Sequence, residues 1–380
     1  MPKLYIQPLT FAPSPQAVEG PDDMPGAVRL AGTMCYAREF ALIVRSNAGH
    51  VQSRQIVAAP DVAAALARLP DPLIDEGERQ WSNLRMAHTP LDLHFGDGTH
   101  RTVRLDQPQV MGILNVTPDS FSDGGSFDDD VETAVGRGVD MLESGAAIID
   151  VGGESTRPGA STIWEMDEVR RVIPTVERLA AGGAAVSIDT RKATVMEAAL
   201  EAGARLINDV SGLQFDPRSA DVAADSGCPV VVMHAPGKGD DLHAGGKYQN
   251  VVLDVFDELR TRRDFALKAG VRRENLILDP GIGFGKSLAE NLALINALPL
   301  FHALGQPLLL GVSRKRFIGA LSNEAPADAR LGGSLAVATM ALDMGVHILR
   351  VHDAAETVQA MHVWRGLRDG ALTDFSQLAR

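Results

Sequence analysis

Val110-Met-Gly-Ile-Leu-Asn-Val-Thr-Pro-Asp-Ser-Phe-Ser-Asp-Gly-Gly125 reads as a buried strand that stops at Asn115 and opens into a polar loop. The loop carries two carboxylates, several hydroxyls, one Phe, a Pro and two Gly, polar enough to meet a charged ligand and glycine-rich enough to move. The same alternation, a short apolar run followed by a polar residue and then an amphipathic stretch, repeats to the C-terminus. Strands are expected at Val110–Leu114, Ala147–Val151, Ala185–Ile188, Arg205–Ile207, Pro229–Met233, Leu276–Leu278, Pro307–Gly311 and His347–Val351. Helices are expected at Val131–Glu143, Glu165–Ala180, Ala193–Ala202, Val251–Ala269, Ala289–Ala297, Leu331–Met344 and Ala354–Arg368. Several end in small-residue stops such as Ser144-Gly145 and Ala269-Gly270, as helix C-termini do.

Strands alternating with helices imply right-handed crossovers and a parallel sheet. Eight such units over roughly 270 residues match an α/β fold of the (β/α)8 TIM-barrel type. An open doubly wound sheet would want a Gly-x-Gly-x-x-Gly turn after its first strand; the first loop here is Asn-Val-Thr-Pro-Asp, which favours the barrel.

The 380 residues exceed what a barrel needs, about 250. Residues 1–104 read as a small N-terminal α+β extension preceding a catalytic barrel at 105–380. The extension has Pro-rich spacers, strands expected near Ala27–Leu30 and Glu39–Val44, and a short helix at Asp61–Leu69. Leu91–Phe95 and Arg101–Leu105 flank Gly96-Asp-Gly-Thr99, a hairpin signal. No catalytic constellation stands out in it, so a packing or oligomerisation module is the expectation.

A net charge of −13 argues against a nucleic-acid or acidic-membrane partner, though not against a locally basic pocket for an anionic substrate. Cys35 and Cys228 form no CxxC, so neither a zinc site nor a disulfide framework is indicated. With no signal-peptide pattern and no apolar run near the ~20 residues of a membrane span, a soluble cytoplasmic protein is expected.

Parallel barrels place active sites at the C-terminal ends of their strands. Those ends here read Asn115, Asp150, Asp189, Asn208 with Asp209, His234, Asp279, Ser313 with Arg314 and Lys315, and Arg350 with His352. Any one of them could cap the next helix, but Arg, Lys and His do not cap N-termini. Arg350 and His352 share one strand face and suit a phosphate or pyrophosphate. Asp189 and Asp279 could accept from a heterocycle carrying amino groups, and Asn208 suits a pteridine or purine edge. Gly152-Gly-Glu-Ser-Thr-Arg-Pro-Gly159 resembles a phosphate-binding loop, and Gly281-Ile-Gly-Phe-Gly-Lys286 offers Phe284 for stacking. A His-x-His metal-hydrolase signature is missing from the first strand end, and the one lysine placed for a Schiff-base aldolase, Lys315, sits on a loop beside Arg314 and Arg316 and fits poorly.

From about Val110 to Val363 these motifs, in order, resemble the dihydropteroate synthase family of pterin-binding barrels: Met111–Gly125, Ile149–Ala160, Ser187-Ile-Asp-Thr190, Ile207-Asn-Asp-Val-Ser-Gly212, Met233-His234, Leu278–Lys286, Gly311–Gly319 and Arg350-Val-His-Asp353. The resemblance implies condensation of 6-hydroxymethyl-7,8-dihydropterin diphosphate with 4-aminobenzoate to 7,8-dihydropteroate and pyrophosphate. It implies Asn115 as a ligand of Mg2+ near the leaving diphosphate. Thr156, Arg350 and His352 become diphosphate binders, with Val351 in the same substrate-binding segment. Asp189, Asn208, Asp279 and Lys315 become pterin contacts. Asp123 and Arg157 resemble loop residues that meet over the closed site, and with Asp279 and Lys315 form the implied catalytic set. Phe121, Pro158 and Phe284 resemble the walls around aminobenzoate. Sulfonamide competition and a homodimer are implied as well.

The residue types suit this chemistry. Cations stabilise charge on a departing diphosphate, carboxylates stabilise a cationic pterin, and an attacking aniline dispenses with an enzyme nucleophile. Mobile loops would keep water from the cation. The sequence departs from the commonest family pattern at Ala235-Pro236, at Arg316 after Lys315, at Ile282 and in the long extension. Two other readings stand beside the synthase: a methyltetrahydrofolate:corrinoid methyltransferase on the same barrel, and an inactive pterin-binding paralogue. The basic set Thr156, Arg157, Lys315, Arg350 and His352 favours the synthase over the first, and the intact strand ends favour it over the second.

Overall fold

A computed structural model of the chain describes residues 2–12, 26–95, 98, 100–117, 127–156, 159–160, 162–237, 239 and 241–368. The extension runs β1 (Lys3–Phe11), β2 (Val28–Arg29), β3 (Tyr36–Arg45), β4 (Val51–Ala58), α1 (Val62–Leu66), α2 (Asp71–Arg85), β5 (Leu91–His94) and β6 (His100–Val103). The barrel follows as β7 (Gln109–Asn115), α3 (Phe127–Glu143), β8 (Ile148–Gly152), α4 (Glu165–Ala181), β9 (Val186–Asp189), α5 (Ala193–Glu201), β10 (Leu206–Asp209), α6 (Ser219–Ser226), β11 (Val230–Met233), α7 (Val251–Ala269), β12 (Leu276–Asp279), α8 (Leu288–Asn296), β13 (Leu309–Gly311), α9 (Arg316–Leu321), α10 (Leu331–Asp343), β14 (Ile348–Val351) and α11 (Ala354–Arg368).

The eight expected barrel strands are all present, paired in the order β12-β11-β10-β9-β8-β7-β14-β13 with parallel ladders. A parallel bridge between Leu278 and Leu308 joins the two ends of that order, so the sheet returns on itself. The expected helices are present too, and α6 and α9 add two short ones.

Strand alternation sorts side chains into layers. Met111, Ile148, Ala185, Leu206, Val231, Ile277, Leu309 and Ile348 form one inward apolar cluster at the start of the strands. Leu91, Leu93, Val103 and Leu105 belong to that same cluster, so the β5–β6 hairpin closes the barrel floor. Two residues further along, the inward positions turn polar: Asp150, Ser187, Asn208, Asp279 and Arg350. The floor is apolar and the opposite end is polar.

The alternate, outward residues pack under the helices, and this outer core runs without a break into the extension. Leu4, Ile6, Phe40, Leu42 and Leu84 share it with Phe256, Leu300, Phe301 and Leu304. Tyr5 meets Phe256 edge-on at 5.4 Å. Three elements of the extension depart from expectation. β1 carries Pro8, which argues against a strand, but it pairs with β3 alone and its register slips between Pro8 and Thr10. β4 is mostly exposed and has no alternating pattern. α2 contains Gly77, where a Cβ would lie 2.8 Å from Leu4 and 2.7 Å from Leu66; the glycine admits close packing. Among the described residues no helix is long and apolar enough to cross a membrane.

Candidate active site

The polar layer is organised around Arg350 on β14. Its Nε donates to Asp150 Oδ2 on β8 at 2.6 Å and its Nη2 to Asp189 Oδ2 on β9 at 2.5 Å. Asn208 Nδ2 on β10 donates to the same Asp150 oxygen at 2.9 Å. Burial pushes the Asp189 carboxyl up to about 7; the Arg350 charge opposes this and the Asp150 carboxylate adds to it. Arg350 itself is held above its ordinary value by the two carboxylates, against the cost of burial. Asp150 Oδ1 and Ser187 Oγ are buried with no hydrogen-bond partner among the described residues, leaving acceptor capacity that faces the barrel interior.

Beside this network stands the end of β12. Asp279 Oδ1 accepts the Gly281 amide at 2.7 Å, and burial raises its pKa, opposed first by the Lys315 charge. Lys315 Nζ donates to the Ile282 carbonyl and lies 4.9 Å from the centre of the Phe284 ring. Burial lowers the Lys315 ammonium to about 8, and Asp279 pulls the other way. Gly281 and Gly283 make this turn possible. Gly281 has φ +68° and a Cβ there would sit 1.8 Å from the His234 carbonyl oxygen; Gly283 has φ +88° with Lys315 packed against it. Lys286 reaches under the turn to the Gly281 and Phe284 carbonyls at 2.7 and 3.0 Å.

The mouth is framed by loops. His352 takes hydrogen bonds with Ser313 Oγ through its backbone N and its Nδ1, at 3.2 and 3.1 Å. Arg314 has φ 58° and pairs with Asp353, a left-handed non-glycine residue at a strand end of the kind that clusters at functional sites. The loop after β8 is braced by a buried network: Glu154 accepts from Arg191 at 3.0 Å and from Lys192 at 2.9 Å, and Lys192 also reaches Glu168 at 2.6 Å. Thr156 lies at the end of that braced segment, its carbonyl accepting from His243 Nε2 at 2.8 Å. The His243 ring stacks on Phe284, centroids 4.9 Å apart and planes 11° apart. Asn115, at the end of β7, is level with Gly152 of β8.

Asp189, Asn208, Asp279, Lys315 and Arg350 thus converge, with Asn115, Thr156, Phe284 and His352 around them. Val351 does not join them. One residue from Arg350 on the strand, it faces outward into the core with Ala354 and Val358 and can offer the mouth only backbone. Phe121, Asp123, Arg157 and Pro158 lie outside the described residues. Two strand-end residues turn elsewhere. Asp209 accepts from Ser211 and Leu213 and caps its own turn, and buried His234 pairs with Glu258 of α7 at 2.8 Å. Sequence reasoning underrated Asp150, a strand-end carboxylate that proves central. It missed the Glu154–Arg191–Lys192–Glu168 network, for which two cations directly after Asp189-Thr190 were the available signal. It also missed His243, whose loop has no periodic pattern.

The family model described as "Pterin binding enzyme" matches residues 111–352, the span that contains every residue of this constellation. Dihydropteroate synthase of Escherichia coli (strain K12) is 46% identical over 273 residues, 71% of this chain and 94% of that protein. The chain belongs to the dihydropteroate synthase family. The solved structure of Xanthomonas albilineans dihydropteroate synthase with 4-aminobenzoic acid has a TM-score of 0.68 at 46% identity, covering 74% of this chain and 99% of that one. The X. albilineans dihydropteroate synthase in complex with 7,8-dihydropteroate has a TM-score of 0.64 at 44% identity, covering 70% and 96%. As a dihydropteroate synthase the chain is a pterin-transferring enzyme, and its polar layer is the part of the fold suited to that task.

Proposed function

We propose that this constellation binds 6-hydroxymethyl-7,8-dihydropterin diphosphate and 4-aminobenzoate and joins them into 7,8-dihydropteroate, releasing pyrophosphate. The observation that carries the reading is the inner ring of Asp189, Asn208 and Asp279, acceptor-rich and apolar below, with Arg350 of β14 and Lys315 of the turn before α9 reaching it. The acceptors match the amino and imino donors of a pterin. Arg350 holds two carboxylates in place and keeps N–H groups to spare for a diphosphate framed by His352 and Thr156. Phe284 provides the flat apolar wall an aminobenzoate ring requires. In the reaction the C–O bond to the diphosphate breaks, the aniline nitrogen bonds to the pterin methylene and then sheds a proton, and the diphosphate leaves with its electron pair. Asp189 and Asp279 stabilise positive charge on the pterin while Arg350 and Lys315 accept the growing negative charge of the leaving group. Asp123 and Arg157 are assigned to the loops that close over this step, with Phe121 and Pro158 lining the aminobenzoate side.

Magnesium fits the donor chemistry. Among the described residues no group of three or more His, Cys, Asp or Glu could hold a metal by itself. Asn115 supplies one neutral oxygen, which suits an ion that keeps its waters and binds mainly through substrate phosphates. Bound there, Mg2+ would neutralise diphosphate charge. A homodimer is part of the proposal: Leu321 on α9 and Val363 on α11 are about 60% exposed, a placement that suits a self-complementary face. Residues 105–380 carry the chemistry in this reading, and residues 1–104 supply no reacting group.

Pyrophosphate release from the pterin diphosphate, measured with and without aminobenzoate and Mg2+, tests the assignment. Release should depend on both, and sulfonamides should compete with aminobenzoate. Turnover indifferent to aminobenzoate would overturn it. Light scattering of wild type and Val363→Asp tests the dimer, which should dissociate in the variant.

A further inference from the structure

Residues 241–250, ahead of α7, are fixed at two places. At the site, His243 donates from Nε2 to the Thr156 carbonyl and stacks on Phe284. A carbonyl can only accept, so the Nε2–H tautomer is set by this contact. The ring therefore ties the loop after β8 to the turn after β12, the two segments that carry the diphosphate and aminobenzoate contacts. Its backbone N is held by Asp241 Oδ1 at 2.9 Å, which orients the ring from within the loop.

The other end of the loop is held by the extension. Asp254, in the first turn of α7, accepts from the Gln249 and Asn250 amides at 2.8 and 2.9 Å. Its second oxygen pairs with Arg45 of β3 at 2.5 Å, and the Arg45 side chain is 8% exposed. Gln249 Nε2 donates to His50 Nδ1, in the turn between β3 and β4, at 3.2 Å. Lys3 and Tyr5 of β1 grip Asp257 one turn later at 2.6 and 2.8 Å. A short charge-assisted pair with a desolvated guanidinium fixes geometry as well as charge. Between Gln249 and His243 the segment has little slack: Gly246 N donates to Gly285 O at 3.4 Å, which lays it along the same β12 turn that carries Phe284.

We infer that the N-terminal extension acts on the reaction through this loop, with Arg45 and His243 as positioning residues that set Phe284 and the Thr156 segment for aminobenzoate. The inference rests on Phe284 being an aminobenzoate wall. Neither residue touches reacting atoms. Their main effect falls on the second substrate through Phe284, with a smaller one on the diphosphate through Thr156, because the pterin contacts on β9 and β10 are held by the separate Asp150–Arg350 network.

Steady-state kinetics on the full chain tests this. His243→Ala should raise KM for 4-aminobenzoate about tenfold, the order of loss expected when a binding wall shifts by a fraction of an ångström. kcat should stay within about twofold, and KM for the pterin diphosphate should rise clearly less than KM for aminobenzoate. His243→Phe keeps the stack, loses the hydrogen bond and should fall between. Arg45→Met should show the same split, with Arg45→Lys restoring most of it. The double variant Arg45→Met/His243→Ala should be no worse than His243→Ala, since residues acting through one link are not additive. An unchanged aminobenzoate KM in His243→Ala, or single effects that multiply in the double variant, would overturn the inference. If Arg45→Met does not fold, the double variant His50→Ala/Gln249→Ala, made at exposed positions, decides the same question by the same KM. If wild type releases no pyrophosphate from these substrates, the functional reading falls separately. The tether is then judged by hydrogen exchange at the Gln249 and Asn250 amides and across 241–246. Faster exchange in the extension variant supports it, and unchanged exchange refutes it.

Discussion

Arg350 sits between two carboxylates at hydrogen-bond distance, and that placement sets what its loss would do. Removing it leaves Asp150 and Asp189 facing each other in a buried site. Breaking such a group costs about 3–5 kcal/mol. Arg350→Ala should therefore lose that much stability in a denaturant melt as well as about 10²-fold or more in pyrophosphate release. Adding Asp150→Asn should recover part of the stability and none of the rate; recovery of both would mean that Arg350 serves the fold alone. Gly281→Ala should be severe for a different reason, since both its positive φ and the His234 carbonyl reject a side chain. Most of the residues that meet at the site were legible because each ends a strand and so lands at one barrel mouth. Val351, one step of strand parity from Arg350, keeps its side chain in the core and has only its backbone to offer the mouth. His243 was illegible, because its importance comes from what loops place beside it and not from a pattern along the chain.

Among the elements, the β5–β6 hairpin makes the clearest prediction. Its apolar side chains complete the cluster at the barrel floor, far from the polar layer. Leu93→Ala should cost about 2–5 kcal/mol, the usual range for a buried leucine, with substrate KM values unchanged. A KM shift without a stability loss would contradict the assignment of floor and mouth. The barrel strands were legible from sequence because strands buried on both faces are near-continuous apolar runs, and their bounds shift only by a residue or two. β1 and β4 escaped notice for opposite reasons. Proline interrupts the first, and the second buries too little to need a pattern. α9 is only six residues long, too short to show a helical period.

On the scale of the whole molecule, three histidines meet where the extension joins the barrel: His88 ahead of β5, His302 before β13 and His347 at the foot of β14. His302 Nε2 donates to the Met344 carbonyl and His347 Nδ1 accepts from the Leu308 amide. Burial first, then the neighbouring His302 and Arg273 charges, lowers His88 to about 3; burial lowers His302 to about 4 and takes His347 well below 6.5. In the unfolded chain these rings protonate near pH 6.5. Between that pH and about 4 the unfolded state binds more protons, so this contribution is intact above 6.5 and lost as pH falls. Each ring should cost up to about 1.4 kcal/mol per pH unit in that window. Denaturant melts at pH 7 and pH 5 should show the loss, and His302→Gln should flatten the slope. A slope unchanged by the substitution would place the acid sensitivity elsewhere.

The pairing of Lys3 and Tyr5 with Asp257 also bears on how the protein is made. The partners are 254 and 252 residues apart. At about 5–20 residues per second of synthesis, β1 leaves the ribosome on the order of ten to fifty seconds before the helix that carries Phe256 and Asp257. During that interval Leu4 and Phe40 can already pack on α2 within the extension, but Tyr5 is exposed without Phe256 and Asp257. The step most exposed to aggregation therefore falls during translation, before any barrel exists, and slowing elongation upstream of α7 should lower soluble yield while leaving the specific activity of the recovered protein the same.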